Sequence, residues 1–427
     1  MNRVKINIVK VKAGALYYAI FIAFLIASLI GLLILYTHIH NSYVDRQIIK
    51  EQVLSNVKSG INLVLKNPEL LPYSTPENIK LFGNEYDVVN LKKEHWGAYG
   101  LIYANSQRHS YKSSQIALVG DDLGKKEDIA LYLSDQKKYL SISGNTILKG
   151  TCYLPKLGIK RAYIEGQGYQ NQRLVFGTIQ TSASELPALN PEKLKYLESL
   201  VSTGYPKSDS IADISSIRGS EEIYNSFYNK TITLFSDQKM ELNGFKISGN
   251  IIIKSNQEIV VGSECSLNDV LLVAPNVILK SGFKGSVQVF ATERIIVEES
   301  CQLKYPSFVG LLRNTEDKEP AVTIGENVII AGGVLLYTTN KLKDPLVVKL
   351  ARSATIYGTV YCDGYMELQG NIYGSLYCNG FTLKTAASLY ENHLLNAKVD
   401  YSLLPRNFAG VNLIGKLINE QIIKSMN

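Results

Sequence analysis

The sequence predicts a mainly β protein: one N-terminal transmembrane helix with an amphipathic extension, followed by a parallel β-solenoid (β-helix) interrupted by a helical insertion. Three observations carry that expectation. Residues 15–36 form an uninterrupted apolar run. Apolar residues at four- to five-residue steps continue a helical stripe beyond it. The C-terminal half repeats itself at short, nearly constant intervals. Composition sets the frame. With 46% hydrophobic and 19% charged residues over 427 positions, the chain buries enough apolar surface to fold as two or three domains. A net charge of +7 without basic clusters excludes a dedicated nucleic-acid binder. Five cysteines, an odd and small number, exclude a disulfide scaffold.

Between residues 13 and 44 there is no Asp, Glu, Lys or Arg. As a helix, the apolar run spans ~33 Å, enough for a bilayer core. Arg3, Lys5, Lys10 and Lys12 precede it, and residues 37–42 carry no fixed positive charge. The positive-inside rule keeps the N-terminus in the cytoplasm and exports the rest. Tyr17, Tyr18 and Tyr36 fall where ring side chains suit the two interfaces. A cleaved signal peptide would have a shorter apolar region and a small-x-small cleavage site; residues 36–40 offer none, which favours a retained anchor. His38 and His40, two apart on a helix, share no face and form no metal site. The reading is therefore a basic cytoplasmic segment at 1–13, a transmembrane helix at 14–36 and an amphipathic helix at 37–70. The stripe is Val44, Ile48, Val53, Val57, Ile61 and Leu65, and Pro68 and Pro72 end it.

Lys12-Ala13-Gly14-Ala15-Leu16, the uncharged helix and its continuation through Ser59-Gly60-Ile61 together resemble the N-terminal region of pilin-like proteins, closest to X-type minor pilins and K-type pseudopilins. The resemblance implies cleavage after Gly14, making Gly14 and Ala15 the candidate processing site. Most of that family has Glu at the fifth mature position, where this chain has Ala19; the K-type members also lack it.

Residues 71–183 alternate turn formers with short apolar runs and read as a small α+β or β module. Asp121-Asp122 after Gly120 reads as a solvated turn, and Gly166-Gln167-Gly168 as a turn without the third glycine of a phosphate loop. Residues 184–230 read as a partly helical insertion. Within it, Asn190-Pro191, then Leu194, Leu197, Leu200 and Val201, then Gly204, spell a capped helix with a glycine stop.

The repeat fixes the expectation for residues 231–400. Ile356-Tyr357-Gly358-Thr359-Val360-Tyr361-Cys362-Asp363-Gly364-Tyr365 recurs as Ile372-Tyr373-Gly374-Ser375-Leu376-Tyr377-Cys378-Asn379-Gly380-Phe381. Residues 322–334 match 348–360, an offset of one repeat unit plus a loop around Lys341. Residues 259–261, 277–279 and 295–297 recur at a constant step in the same way. Such units are too short to hold a core alone and bury their apolar side only by stacking on their neighbours. An antiparallel sandwich is the alternative, but it requires no fixed period. Cys362 and Cys378 hold one position in consecutive units, ~4.8 Å apart if stacked, which allows a disulfide or two small inward hydrophobes. Cys265 and Cys301 lie two units apart, too far to pair. The 401–427 tail reads as an amphipathic helix capping the last coil.

The run from Ala354 to Gly374 also resembles bactofilins, membrane-associated polymer-forming β-helix proteins, which implies end-to-end polymerisation. Bactofilins are cytoplasmic, whereas the charge pattern here exports the domain. A β-helix suggests a polysaccharide-active enzyme too, but Glu298, Glu299 and Glu326 fall in turns, and Asp363 becomes Asn379 in the next unit, so no acidic pair recurs. No catalytic residue, cofactor or metal is assigned. The expectation is a non-enzymatic, single-pass protein of a bacterial inner membrane, its bulk periplasmic or extracellular. It would act in assembly of a cell-envelope apparatus or in adhesion. Its partners would be the lipid bilayer and envelope proteins or glycans, not nucleic acid.

Overall fold

The computed structural model describes residues 13–83, 86–125, 127–202, 210–213, 222–313, 321–339, 345–386, 388–415 and 417–427. The basic residues Arg3 to Lys12, the stop at Gly204 and the loop around Lys341 lie outside them. The described chain is mainly β with one long apolar N-terminal helix.

That helix, Ala13–Lys66, is 54 residues long, ~80 Å at helical rise. It is long and apolar enough to cross a membrane. No residue from 14 to 52 is buried, whereas Val53, Val57, Ile61 and Val64 are almost wholly covered. The expected stripe therefore packs only from Val53 onward. Val44 and Ile48, at 39% and 55% exposure, lie on bare helix because the structure beneath them has ended. A short 3-10 turn, Pro68–Leu70, follows, where Pro68 can no longer donate to the ladder.

The packed end of the helix lies on an antiparallel sheet of Glu77–Lys80, Val88–Trp96, Tyr99–Arg108, Tyr111–Asp122, Ala409–Gly410 and Glu420–Met426. Alternation along these strands serves two cores. Val89, Leu91, Ile102, Ala104, Ala117 and Val119 meet the helix. Tyr99, Leu101, Ile116 and Leu118 face the other way, against Leu271, Phe290, Phe308 and Leu335 of a second, larger sheet. Two expectations are corrected here. The tail is not a helix: Glu420–Met426 is a strand paired antiparallel with Tyr111–Asp122, because the open edge of that sheet offers it a full set of backbone partners. Asp121 is not a solvated turn residue but is 2% exposed at the end of a strand.

The larger sheet is one connected set of strands and contains three sets of parallel pairings. The first joins Leu234, Ile253, Leu272, Val289, Val309, Val334, Val360 and Leu376 in register. The second joins Leu303, Ile330, Ile356, Ile372 and Val399. The third joins Met240, Ile259, Val277, Ile295, Val322, Val348, Met366 and Phe381. These side chains meet in one apolar core. The aligned repeat positions are register partners: Ile356 with Ile372, Cys362 with Cys378, Val322 with Val348. Beyond Cys362 the register shifts by one, so that Tyr365 faces Gly380 and Met366 faces Phe381. Gly332, Gly358 and Gly374 are partners at one corner with φ of +151°, +124° and +143°. A Cβ at Gly358 would strike the carbonyl of Gly332, and one at Gly374 that of Gly358, so this corner admits only glycine.

Within 129–181, read in sequence with 71–122, the strands Ile129–Leu133, Ile147–Lys149, Thr151–Leu154 and Ile179–Thr181 belong to this sheet instead, while Leu140–Ser143 joins His393–Leu395 and Ile159–Arg161 in a separate small parallel sheet. Leu376 pairs with Leu131, Val399 with Leu148, and Leu394 with Ile142. Leu131 in turn pairs with Cys152, and Cys152 with Ile179. The stack thus continues past residue 400 into a segment that precedes it in the chain. In the 184–230 span, the expected helix forms at Pro191–Val201, capped by the Asn190 side chain, which accepts from the backbone N–H groups of Glu192 and Lys193. The rest of that span is described only in part.

Candidate functional site

A cluster of polar side chains, centred on the buried Lys93 and Glu420, forms where the long N-terminal helix ends. Tyr73, just past the Pro68–Leu70 turn, forms an isolated bridge with Lys93. Lys93 and His95 project from the Val88–Trp96 strand, on the face that Val89 and Leu91 turn toward the helix. Lys193 and Tyr196 come from the short helix, which the Asn190 N–H ties to the Leu413 carbonyl at 2.8 Å. Glu420 opens the last strand.

Lys93 Nζ donates to Glu420 Oε2 at 2.8 Å, with 1% and 4% of the two side chains exposed, and to the Pro68 carbonyl at 3.4 Å. Burial lifts the Glu420 carboxyl above its ordinary range, and Lys93 opposes the lift. The His95 ring lies between Tyr73, at 3.6 Å, and Tyr196, at 4.3 Å between centroids. Burial, then the Lys193 and Lys93 charges, lower its pKa to about 2. The imidazole is therefore neutral, and its Nδ1 accepts from Lys193 Nζ at 3.2 Å. Burial lowers Lys193 to about 7. A cleft of ≈ 320 Å³ opens among these groups, also lined by Tyr99, Asp121, Asn412, Glu69 and Glu192.

A second joint locks the hairpin at Gly97 to the large sheet. Gln288 accepts from the Ala98 N–H at 2.7 Å and donates to the Trp96 carbonyl at 3.0 Å, while the Gly97 N–H donates to the Tyr196 hydroxyl. Both joints tie together segments from distant parts of the chain.

The candidate processing and disulfide residues, and the acids weighed for catalysis, lie elsewhere. Gly14 stands on bare helix with nothing near its Cα face, and Ala15 is likewise exposed. Cys362 and Cys378 are adjacent, buried and free; the Cys362 thiol donates to the Tyr365 carbonyl at 3.4 Å. Asn379 donates to Asp363 at 2.9 Å, and burial raises the Asp363 carboxyl. Glu298 bonds Lys280 at 2.8 Å, a neighbour that lowers its pKa; Glu299 and Glu326 sit in turns. None of these joins the buried cluster. Among the described residues no group of three or more His, Cys, Asp and Glu is placed to hold a metal. The cluster escaped sequence reasoning because its members are scattered along the chain, Lys93 and its partner Glu420 lying 327 residues apart. Its one local signal is Lys93 and His95 at inward positions of an alternating strand.

No family model matches the chain, and no curated protein or solved structure is significantly similar to it.

Proposed function

We propose that this chain is a single-pass protein of a bacterial inner membrane, its N-terminus cytoplasmic and its bulk exported. It displays a parallel β-solenoid and serves, without catalysis, as a minor pilin-like or pseudopilin-like part of an envelope apparatus, or in adhesion. One observation carries the reading. The Ala13–Lys66 helix is a single element whose stretch before Val53 is bare and mostly apolar and whose end is built into the head. Such a helix loses least by burying its bare part in lipid or among like helices. The three sets of in-register parallel pairings support the solenoid, whose flat flanks suit protein or glycan partners.

The intact mass and N-terminal sequence of the protein from its own membranes test this. A chain beginning at Ala15 supports prepilin-type processing and assembly; one beginning at Met1 or Asn2 refutes the pilin-like part and leaves an uncleaved anchor. A bactofilin-like polymer is the second reading. It is favoured by Ile179–Thr181, a wholly exposed terminal strand paired, among the described residues, only with Thr151–Leu154. Concentration-dependent filaments in light scattering would support it.

A further inference from the structure

A second cavity, ≈ 400 Å³, lies where the flank of the large sheet meets the segment that follows Ala409–Gly410. Its volume falls within the range of small-ligand pockets, about 300–1,000 Å³. The strands Thr355–Leu368 and Asn371–Lys384 build one wall. Val360 and Leu376 point into the stack core, so Thr359, Ser375 and Tyr377, one place before or after them, share the opposite face. Thr359 and Ser375 are register partners, ~4.8 Å apart, and Tyr377 stands two residues beyond Ser375 on the same strand. All three line the cavity. Thr359 and Ser375 are each 8% exposed, yet among the described residues none of the three hydroxyls has a hydrogen-bond partner. Burial, with Tyr401 and Glu127 nearby, raises the Tyr377 phenol, which stays a donor at neutral pH.

The rest of the lining is mainly apolar and includes Ile129, Val411, Leu413 and Ile414. Two carboxylates also line it, but both are engaged elsewhere. Glu127 accepts from the Tyr153 hydroxyl at 2.9 Å and from the Gln180 amide at 3.3 Å, and Asp121 has its own partners. They contribute negative potential, not binding atoms. Among the described residues no Lys, Arg or His lines the cavity, so an anion finds no counter-charge there. The three hydroxyls, each both donor and acceptor, suit a neutral partner with several hydroxyls of its own, and the apolar lining suits C–H surface on the same molecule. A sugar ring carries both, whereas a simple alcohol has too few hydroxyls and a linear polyol lacks a rigid C–H face. We propose that the cavity binds a neutral pyranose sugar unit, its hydroxyls paired with Thr359, Ser375 and Tyr377 and its C–H face against Val411 and Leu413. The site gives the glycan-binding side of the proposed function a place but does not rest on it: the N-terminal sequence and a sugar titration succeed or fail separately.

The test uses the full-length protein in micelles of a detergent without a sugar headgroup. It is titrated calorimetrically and melted with glucose, galactose, mannose and N-acetylglucosamine. Glycerol, cyclohexanol and glucuronate are the controls. Saturable binding and a raised melting temperature are expected with at least one of the four sugars and not with the controls. Ser375→Ala and Tyr377→Phe are each expected to weaken that binding about fivefold or more. Tyr377→Phe keeps the ring and its stacking on Tyr132 and is expected to leave the unliganded melting temperature unchanged or higher. Should either variant fold poorly, Thr359→Val removes a hydroxyl at nearly constant volume and is expected to weaken binding similarly. No saturable binding of any of the four sugars up to tens of millimolar would make the cavity a water-filled seam and overturn the proposal. Cyclohexanol or glucuronate binding as well as the sugar, or sugar binding unchanged in the folded variants, would do the same.

Discussion

Lys93 and Glu420 form an ion pair with almost no contact with water, so the two substitutions that disrupt it should behave very differently. Lys93→Ala leaves a carboxylate buried without its partner and is expected to destabilise the head by about 3–5 kcal/mol. Lys93→Met combined with Glu420→Leu removes both charges at similar volume and is expected to recover most of that loss. Chemical denaturation of the three proteins measures the difference, and a double variant no better than the single one would refute the pair's role. His95 makes a pH prediction. It stays neutral in the fold down to about 2, whereas an unfolded histidine protonates near ~6.5. Below that pH the unfolded chain takes up the extra proton, so the His95 contribution to stability is lost as pH falls. Lys193, lowered to about 7, adds a rise in stability between there and the ~10.4 of a free lysine. Glu420, lifted by burial, works in the opposite direction at acid pH. His95→Phe keeps a ring between Tyr73 and Tyr196 and is expected to flatten the acid side of a melting-temperature profile. A profile identical to the parent's would assign that limb to carboxylates instead.

Among the elements, the N-terminal helix approaches the sheet closely at Gly60. A Cβ there would meet Val89 at 2.9 and 3.0 Å and Leu91 at 3.1 Å, while one at Gly31 would meet nothing. Gly60→Ala gains about 1 kcal/mol of helix propensity but forces branched side chains apart, typically a loss of about 1–3 kcal/mol. It is expected to destabilise the head slightly and Gly60→Val more strongly, with Gly31→Ala neutral; denaturation of the head reads all three. Gln288→Ala, which strands the Trp96 carbonyl and the Ala98 N–H, is expected to cost about 2 kcal/mol or more. A loss below ~0.5 kcal/mol in the same assay would show that water replaces the amide. Elements defined by local chemistry were legible in the sequence: Asn190-Pro191 marks its helix because cap and first turn adjoin. The tail misled because Ile414, Leu417, Ile418 and Ile422 have helical spacing, and only the distant edge of Tyr111–Asp122 makes a strand of Glu420–Met426. A further signal lies in Val270-Leu271-Leu272-Val273-Ala274. It is apolar at every position because it is covered on both faces, by the stack core and by the antiparallel sheet.

At the scale of the molecule, the repeat was legible from residue 259 onward because successive units carry like side chains at the positions that pair. Its continuation was not, because Leu376 and Leu131 stand at opposite ends of the head's sequence and resemble each other only as any two leucines do. The buried cluster was hidden for the same reason. A fragment of residues 222–400 would expose the Leu376 and Val399 rung that 129–149 now covers. It is expected to self-associate in size-exclusion chromatography, and adding a 1–202 fragment is expected to return it to a discrete complex. A monodisperse, soluble 222–400 fragment would contradict that.

The same closure governs when the head can form. The chain is made from its N-terminus, so the strands of residues 88–181 exist before any of the strands that cover them. At a ribosome's pace of about 5–20 residues per second, the stretch from Leu131 to its partner Leu376 takes roughly 10–50 s to synthesise. Throughout that interval Leu131 has its Cys152 neighbour but not Leu376, and the hairpin at Gly97 waits for Gln288. The head is therefore a late-closing structure, and a ribosome that stops short of Glu420 leaves an open, sticky chain already joined to its long apolar helix.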